Sequence, residues 1–154
     1  MMEANDPLKL ENQLCFPLYA CSKEIIRRYK PHLDKLDLTY TQYITMMVLW
    51  DRHEVNVKEL GEALFLDSGT LTPVLKKLEK KGYVNRTRSS ADERSTLITI
   101  TPEGEALREA AEEVPQRMGA CIKLAPEEAM QLYRLLYKVL LALDEEEEAA
   151  AAFA

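Results

Sequence analysis

The chain has few of the residues that build disulfide scaffolds, metal centres and flexible linkers. Its 154 residues include 3 cysteines, 2 histidines and 5 glycines, and no two cysteines stand in a CxxC arrangement. This cysteine usage argues against a disulfide-rich secreted domain and is typical of a reducing compartment, where thiols are spare or reactive. Because His32 and His53 lie far apart in different contexts, the sequence predicts neither a metal site nor a cofactor.

Long apolar runs are also absent. No stretch approaches the roughly 18 apolar residues of a membrane span, and the first residues lack both the basic start and the apolar run of a signal peptide. There is no internal repeat and no Gly/Ser linker. With 47% apolar and 30% charged residues, the composition is that of a globular domain. We therefore expect one cytoplasmic domain, 1–154, with no membrane partner.

Two short helices followed by a hairpin form the clearest pattern. Apolar residues recur at helical spacing in two neighbouring stretches: Val57, Leu60 and Leu64, then Leu71, Val74, Leu75 and Leu78. Gly82 supplies a left-handed stop after the second helix. Strand-forming residues occupy 83–88 and 95–100. The predicted fold is mostly α with a small β-hairpin wing: a winged helix-turn-helix core at 41–101, plus N- and C-terminal helices.

The charge pattern of this unit indicates that it binds DNA. Between residues 76 and 94 stand seven basic side chains against three acidic ones, in a chain of net charge −6. A lysine run alone is more often a solvated helix face, but the hairpin arginines favour phosphate binding. The candidate DNA-binding residues on the second helix and hairpin are Ser68, Gly69, Thr70, Thr72, Pro73, Lys76, Lys77, Arg86, Arg88, Asp92 and Arg94.

Apolar helices at the two ends of the chain predict a dimerisation region over 8–37 and 102–146. The first helix should end near Pro31, and Pro17 should kink or restart it. A helix over 101–118 should begin at Thr101. The last helix is apolar around most of its circumference and must be covered. A second copy would cover it and supply the two-fold symmetry of a palindromic DNA site.

Cys15 lies on the apolar face of the first helix. Such a cysteine is usually a small buried apolar residue, and it reacts with peroxides only as a thiolate. No Lys or Arg is adjacent in sequence, so the thiolate would need hydrogen-bond donors such as phenols. Cys21 on the same helix is about 9 Å away along the axis, too far for a disulfide. Cys121 or a small external thiol remains as partner.

The string Leu66-Asp67-Ser68-Gly69-Thr70-Leu71-Thr72-Pro73-Val74-Leu75-Lys76, with Asp92-Glu93-Arg94-Ser95 in the hairpin, resembles the MarR-type winged-helix regulators. The segment Leu10-Glu11-Asn12-Gln13-Leu14-Cys15-Phe16 is similar to their organic-hydroperoxide-sensing, OhrR-like branch. The resemblance spans roughly residues 8 to 143. It implies a homodimer on an inverted-repeat operator, with residues 68–77 in the major groove and Asp92 orienting Arg94 toward the minor groove.

The same resemblance implies that oxidation of one cysteine by an organic hydroperoxide releases the DNA. Tyr29 and Tyr40, with Tyr19 as a third, match the positions of tyrosines that stabilise the thiolate, partly from the partner subunit. Cys121 matches the resolving thiol of two-cysteine members. The sequence thus predicts a repressor and not an enzyme, because the strand and helix alternation of thiol peroxidases is missing. The alternative is a MarR-type regulator released by a small aromatic effector, without redox chemistry.

Overall fold

A computed structural model describes residues 6–91 and 95–152, so Asp92 and Arg94 lie outside the described residues. The described part is mostly helical with a small antiparallel sheet, which confirms the predicted fold class. The elements are α1 (Cys15–Leu33), α2 (Tyr40–Arg52), β1 (Glu54–Asn56), α3 (Val57–Leu64), α4 (Ser68–Lys80), β2 (Val84–Arg88), β3 (Thr96–Ile100), α5 (Pro102–Ala111), α6 (Glu113–Gly119) and α7 (Pro126–Ala152), with 3-10 helices at Leu10–Asn12 and Asp34–Leu36.

The turn between α3 and α4 is held by close backbone contacts. Phe65 adopts a left-handed φ of 52° after the end of α3, and the Leu66 amide donates to the Gly61 carbonyl at 3.0 Å. A Cβ on Gly61 would stand 2.6 Å from the Leu66 carbonyl oxygen, so this position needs glycine for close approach rather than for a positive φ. The turn fixes how α4 projects from α3.

The sheet has three strands in the order β1-β3-β2, all antiparallel. The β2 and β3 hairpin matches the predicted wing to within a residue at each end. Strand β1 was not predicted, because three residues are too few to show an alternating pattern and its partner Ile98 lies far along the chain from Val55. The extra strand anchors the base of the wing to the end of α2.

The helix boundaries correct three predictions. Helix α1 continues two residues beyond Pro31 to Leu33, because the packing of the buried Leu33 side chain holds the last turn despite the proline. Pro17 does not kink α1: the helix begins two residues earlier, so the missing N–H falls in the first turn, where it has no partner anyway. The helix predicted over 101–118 is divided between Ala111 and Glu113. Pro115 has no N–H to donate to the Ala111 carbonyl, and in a continuous helix its ring would clash with that carbonyl.

The chain forms two compact units, one ending at Met118 and one starting at Gly119. The first has an apolar core drawn from α2, α3, α4, the sheet and α6, with Met46, Leu49, Leu60, Leu71 and Ile98 fully buried. The second contains α7, whose large apolar side chains stay exposed, among them Met130, Tyr133, Leu135, Leu136, Tyr137, Val139, Leu141 and Leu143. The exposed side chains of α7 fit the expectation that this helix needs an external cover.

Candidate functional site

Helix α4, here called the recognition helix, begins with a strong cap. The Asp67 carboxylate accepts from the Thr70 amide at 2.8 Å and from the Thr70 hydroxyl at 2.8 Å. These two hydrogen bonds favour the charged carboxylate and lower the pKa of Asp67 from its ordinary value. The Thr72 hydroxyl bonds in turn to the Ser68 carbonyl at 2.7 Å. Three side-chain hydrogen bonds thus hold the first turn of the recognition helix.

The recognition helix buries one side and presents the other to solvent. Leu71, Leu75 and Leu78 face the core. All the helix residues predicted to bind DNA are exposed: Ser68, Gly69, Thr70, Thr72, Pro73, Lys76 and Lys77. Lys80 was not among them, yet its position one turn beyond Lys76 continues the same exposed face. Helical spacing alone could have identified it.

The wing stands beside the start of the recognition helix. A cavity of about 500 Å³ lies between them, lined by Ser68 and Thr72 on one side and by Arg86 and Ser95 on the other. The Arg86 guanidinium is half-buried and lies 3.8 Å from the Glu79 carboxylate, which ties β2 to the recognition helix. Arg88, at the end of β2, is exposed. The two arginines thus differ: Arg86 braces the wing and Arg88 is available to a phosphate.

Cys15 is exposed at the first residue of α1, so within one chain it is not the buried apolar residue that the alternative assumes. Tyr19, one turn further on, is 63% exposed, and the Lys23 ammonium stands 5.8 Å from its ring centroid. Large apolar side chains next to it in sequence are exposed as well, including Leu14, Phe16 and Leu18. A single chain leaves the thiol on an uncovered apolar face.

The other tyrosines lie at the far end of the same helix. Tyr29 is fourteen positions after Cys15 on α1, about 21 Å along the axis. Its ring meets that of Tyr40, on α2, at a centroid distance of 5.0 Å, and that of Tyr43 at 5.9 Å. We call these three residues the tyrosine cluster. Within one chain, Tyr29 and Tyr40 therefore do not contact the thiol.

Burial raises the pKa of each phenol of the tyrosine cluster, and electrostatic repulsion from a neighbouring phenol adds to the effect at Tyr29 and Tyr43. Each hydroxyl therefore keeps its proton at neutral pH and can donate a hydrogen bond. Sequence reasoning missed Tyr43, although its place three residues after Tyr40 puts it on the same helical side.

The remaining thiols are exposed. Cys21 lies on α1, and Cys121 lies between α6 and α7 in the second unit. Among the described residues, no group of three or more His, Cys, Asp or Glu side chains could hold a metal ion. Over the same part of the chain, no helix combines the length and apolarity that crossing a bilayer requires.

Comparison with known proteins adds independent information. The family model described as transcriptional regulator SarA/Rot matches residues 27–111. The organic hydroperoxide resistance transcriptional regulator of Bacillus subtilis is 49% identical over 135 residues, which cover 88% of this chain and 92% of the relative.

Solved structures of the Staphylococcus epidermidis protein AbfR are similar to this chain. Reduced AbfR bound to DNA matches with a TM-score of 0.74 and 35% identity over 87% of this chain and 94% of the other. Disulfide-formed AbfR matches with a TM-score of 0.63 and 34% identity, over 85% and 92%.

Proposed function

Since this chain belongs to the MarR-type winged-helix regulators, in the branch of the organic hydroperoxide resistance regulators, we propose that it is a DNA-binding repressor that releases its operator when Cys15 is oxidised. The observation that supports the redox half is the length of α1. It places Cys15 at one end of the helix and the tyrosine cluster at the other, so a second copy is needed to bring them together. Because the proposed partner is operator DNA, the function is a cytoplasmic one.

In the DNA half of this proposal, residues 41–101 bind one half-site. The exposed face of the recognition helix enters the major groove, with the hydroxyls of Thr70 and Thr72 and the ammonium of Lys76 toward base edges and phosphates. Arg88 on the wing contacts the phosphate backbone beside that groove. An inverted repeat is the operator expected for two such units related by two-fold symmetry.

In the redox half, two copies assemble through residues 8–37 and 102–146. Antiparallel packing of two α1 helices would bring Cys15 of one copy beside the tyrosine cluster of the other and cover the apolar side chains around the thiol. Tyr29 and Tyr40 would then donate hydrogen bonds to the thiolate sulfur, and Tyr19 would supply a third from one turn away. The sensor site is incomplete in a single chain.

The chemistry is a two-electron transfer. The Cys15 thiolate attacks the distal oxygen of ROOH, so an S–O bond forms while the O–O bond breaks. The alkoxide leaves and takes up a proton to give the alcohol, while the sulfur becomes a sulfenic acid. An apolar lining favours an organic R group over hydrogen peroxide. A second thiolate, on Cys121 of the partner or on a small thiol, then forms an S–S bond and releases hydroxide.

A mobility-shift assay on the DNA upstream of its own gene tests the proposal. We expect an organic hydroperoxide to release wild-type protein at lower concentration than hydrogen peroxide or hypochlorite does. Cys15→Ser should bind DNA normally and stay bound after treatment. Cys21→Ser, on the same helix, is the matched control and should respond like wild type. A Cys15→Ser protein that still releases DNA with the inducer would favour the regulator that binds a small aromatic effector.

Non-reducing gels distinguish the two fates of the sulfenic acid. If Cys121 of the partner resolves it, hydroperoxide should produce a covalent dimer that is absent from Cys15→Ser and from Cys121→Ser. If a small thiol resolves it, the mass of each monomer should rise by that thiol instead, and Cys121→Ser should behave like wild type.

A further inference from the structure

A continuous series of contacts runs from the tyrosine cluster to α5, and Trp50 stands at its centre. The ring of Tyr43 meets that of Trp50 at a centroid distance of 6.3 Å, edge to face. The indole nitrogen of Trp50 donates to the Gly104 carbonyl at 2.9 Å, and both groups are buried. The Trp50 carbonyl also accepts from the Arg108 guanidinium at 3.4 Å. Trp50 thus joins α2 to α5 by two polar contacts.

From Gly104 the contacts continue to the end of the recognition helix. The Gly104 amide donates to the Thr101 hydroxyl at 3.1 Å, and that hydroxyl donates to the Gly82 carbonyl at 2.6 Å. The Thr101 amide bonds to the Tyr83 carbonyl at 3.0 Å, and the Tyr83 amide bonds to the Leu78 carbonyl at 3.0 Å. Leu78 is part of the buried face of α4.

The residues along this series are closely packed. A Cβ on Gly104 would stand 2.2 Å from the Tyr83 carbonyl oxygen and 2.9 Å from the Ile100 side chain, so α5 is in direct contact with the base of the hairpin. Trp50 is 7% exposed. A displacement of α2 that moves the indole must therefore move α5 or break a buried hydrogen bond, which is costly in either case.

We propose that Trp50 is a positioning residue that transmits oxidation at Cys15 to the recognition helix, through Tyr43 on one side and Gly104 on the other. This inference rests on the proposed function. When the sulfur ceases to be a hydrogen-bonded thiolate, the tyrosine cluster repacks, and the shift of the Tyr43 ring moves Trp50 and, with it, α5 and the base of the wing. Trp50 itself touches neither the sulfur nor DNA.

Trp50→Phe, in the full-length protein, tests the role of the indole hydrogen bond. We expect Cys15 to be oxidised at the wild-type rate, measured by mass spectrometry, and the reduced protein to bind operator DNA with near wild-type affinity. The ratio of dissociation constants between oxidised and reduced protein should fall about tenfold or more. Val114→Ala, a buried substitution on α6 that takes part in none of these hydrogen bonds or ring contacts, is the matched control for lost packing and should keep the wild-type ratio.

A second measurement needs no substitution near the series. Trp50 is the one tryptophan of the sequence, so its fluorescence reports this position alone. We expect hydroperoxide to change its emission in wild type with the time course of DNA release, and to leave it unchanged in Cys15→Ser.

The outcomes separate this inference from the function on which it rests. Wild-type protein that keeps its DNA after Cys15 is oxidised would overturn the proposed function and this inference with it. Wild-type protein that releases DNA while Trp50 emission stays constant, or a Trp50→Phe protein that keeps the full oxidised-to-reduced ratio, would overturn the inference alone.

Discussion

At the scale of single residues, the tyrosine cluster combines partly buried rings with hydroxyls that can donate hydrogen bonds to an anion. Burial raises the pKa of Tyr29, Tyr40 and Tyr43, which keeps three neutral donors at one end of α1. A neutral donor stabilises a nearby anion without competing for its charge. Packing against the core explains why the rings are aromatic, and hydrogen bonding to the proposed thiolate explains why they carry hydroxyls.

We predict that Tyr40→Phe slows oxidation of Cys15 by an organic hydroperoxide by about tenfold or more, because a hydrogen bond to a charged group is worth about 1.5–3 kcal/mol. Stopped-flow measurement with a thiol-specific trap gives the rate. Tyr133→Phe, on α7 in the second unit, is the control and should react like wild type. Equal rates in Tyr40→Phe and wild type would remove Tyr40 from the sensor.

Asp67 sets a pH dependence at the recognition helix. We predict that Asp67→Ala lowers stability and operator affinity at pH 7, because the Thr70 amide and hydroxyl lose their acceptor. The folded pKa lies below the ordinary value of 3.8, so this stabilisation is complete above that value and is lost as the pH falls through the folded pKa. Urea unfolding between pH 7 and pH 3 measures it.

The control for Asp67 is Asn, which caps a helix without titrating. Asp67→Asn should stay close to wild type at neutral pH, and its unfolding midpoint should lack the pH-dependent contribution of the carboxylate. If Asp67→Ala equals Asp67→Asn in both stability and DNA affinity, the cap contributes nothing to the recognition helix.

At the scale of elements, local pattern predicted what local forces determine. The recognition helix and the wing hairpin follow from helical spacing, Gly82 and strand-forming residues, and both were correct. Strand β1 could not be predicted, because Val55 is held by pairing with Ile98 rather than by its neighbours. Pro31 was misleading for a related reason: the tertiary packing of Leu33, which is buried, holds the last turn of α1 despite the proline.

Contact between α5 and the hairpin gives a prediction of its own. Gly104→Ala should destabilise the protein by about 1–3 kcal/mol, the usual cost of overpacking, because the new Cβ meets the Tyr83 carbonyl oxygen. Gly119→Ala is the matched control: it also lies in a helix, has nothing within 4 Å, and should be neutral or slightly stabilising. Thermal unfolding compares the two, and equal midpoints would contradict a tight α5 contact.

At the scale of the whole molecule, the exposed apolar side chains of α1 and α7 are those that the proposed second copy would cover. The sequence predicted the need for cover on both helices. It also contained the fourteen-position separation of Cys15 and Tyr29, but the meaning of that spacing depends on α1 being one uninterrupted helix. Continuity of the helix through Pro17 had to be observed.

We predict that Leu136→Glu on α7 shifts the protein from dimer to monomer and weakens binding to an inverted-repeat operator, because a carboxylate would be buried without a partner. Sedimentation velocity gives the mass. Met47→Glu is the control, since Met47 is exposed to a similar degree, 46% against 42%, but lies on α2 outside the proposed dimer region. A Leu136→Glu protein that stays dimeric at micromolar concentration would exclude this helix from the interface.

The rigid span of α1 has a further consequence for how much protein a cell must make. If the thiol gains its activating phenols from another copy, then a dilute, unassembled chain carries an ordinary surface cysteine and reacts slowly with peroxide. The response to peroxide then depends on the abundance of the protein as well as on its chemistry. While most chains are unpaired, the concentration of complete sensor sites rises with the square of the monomer concentration.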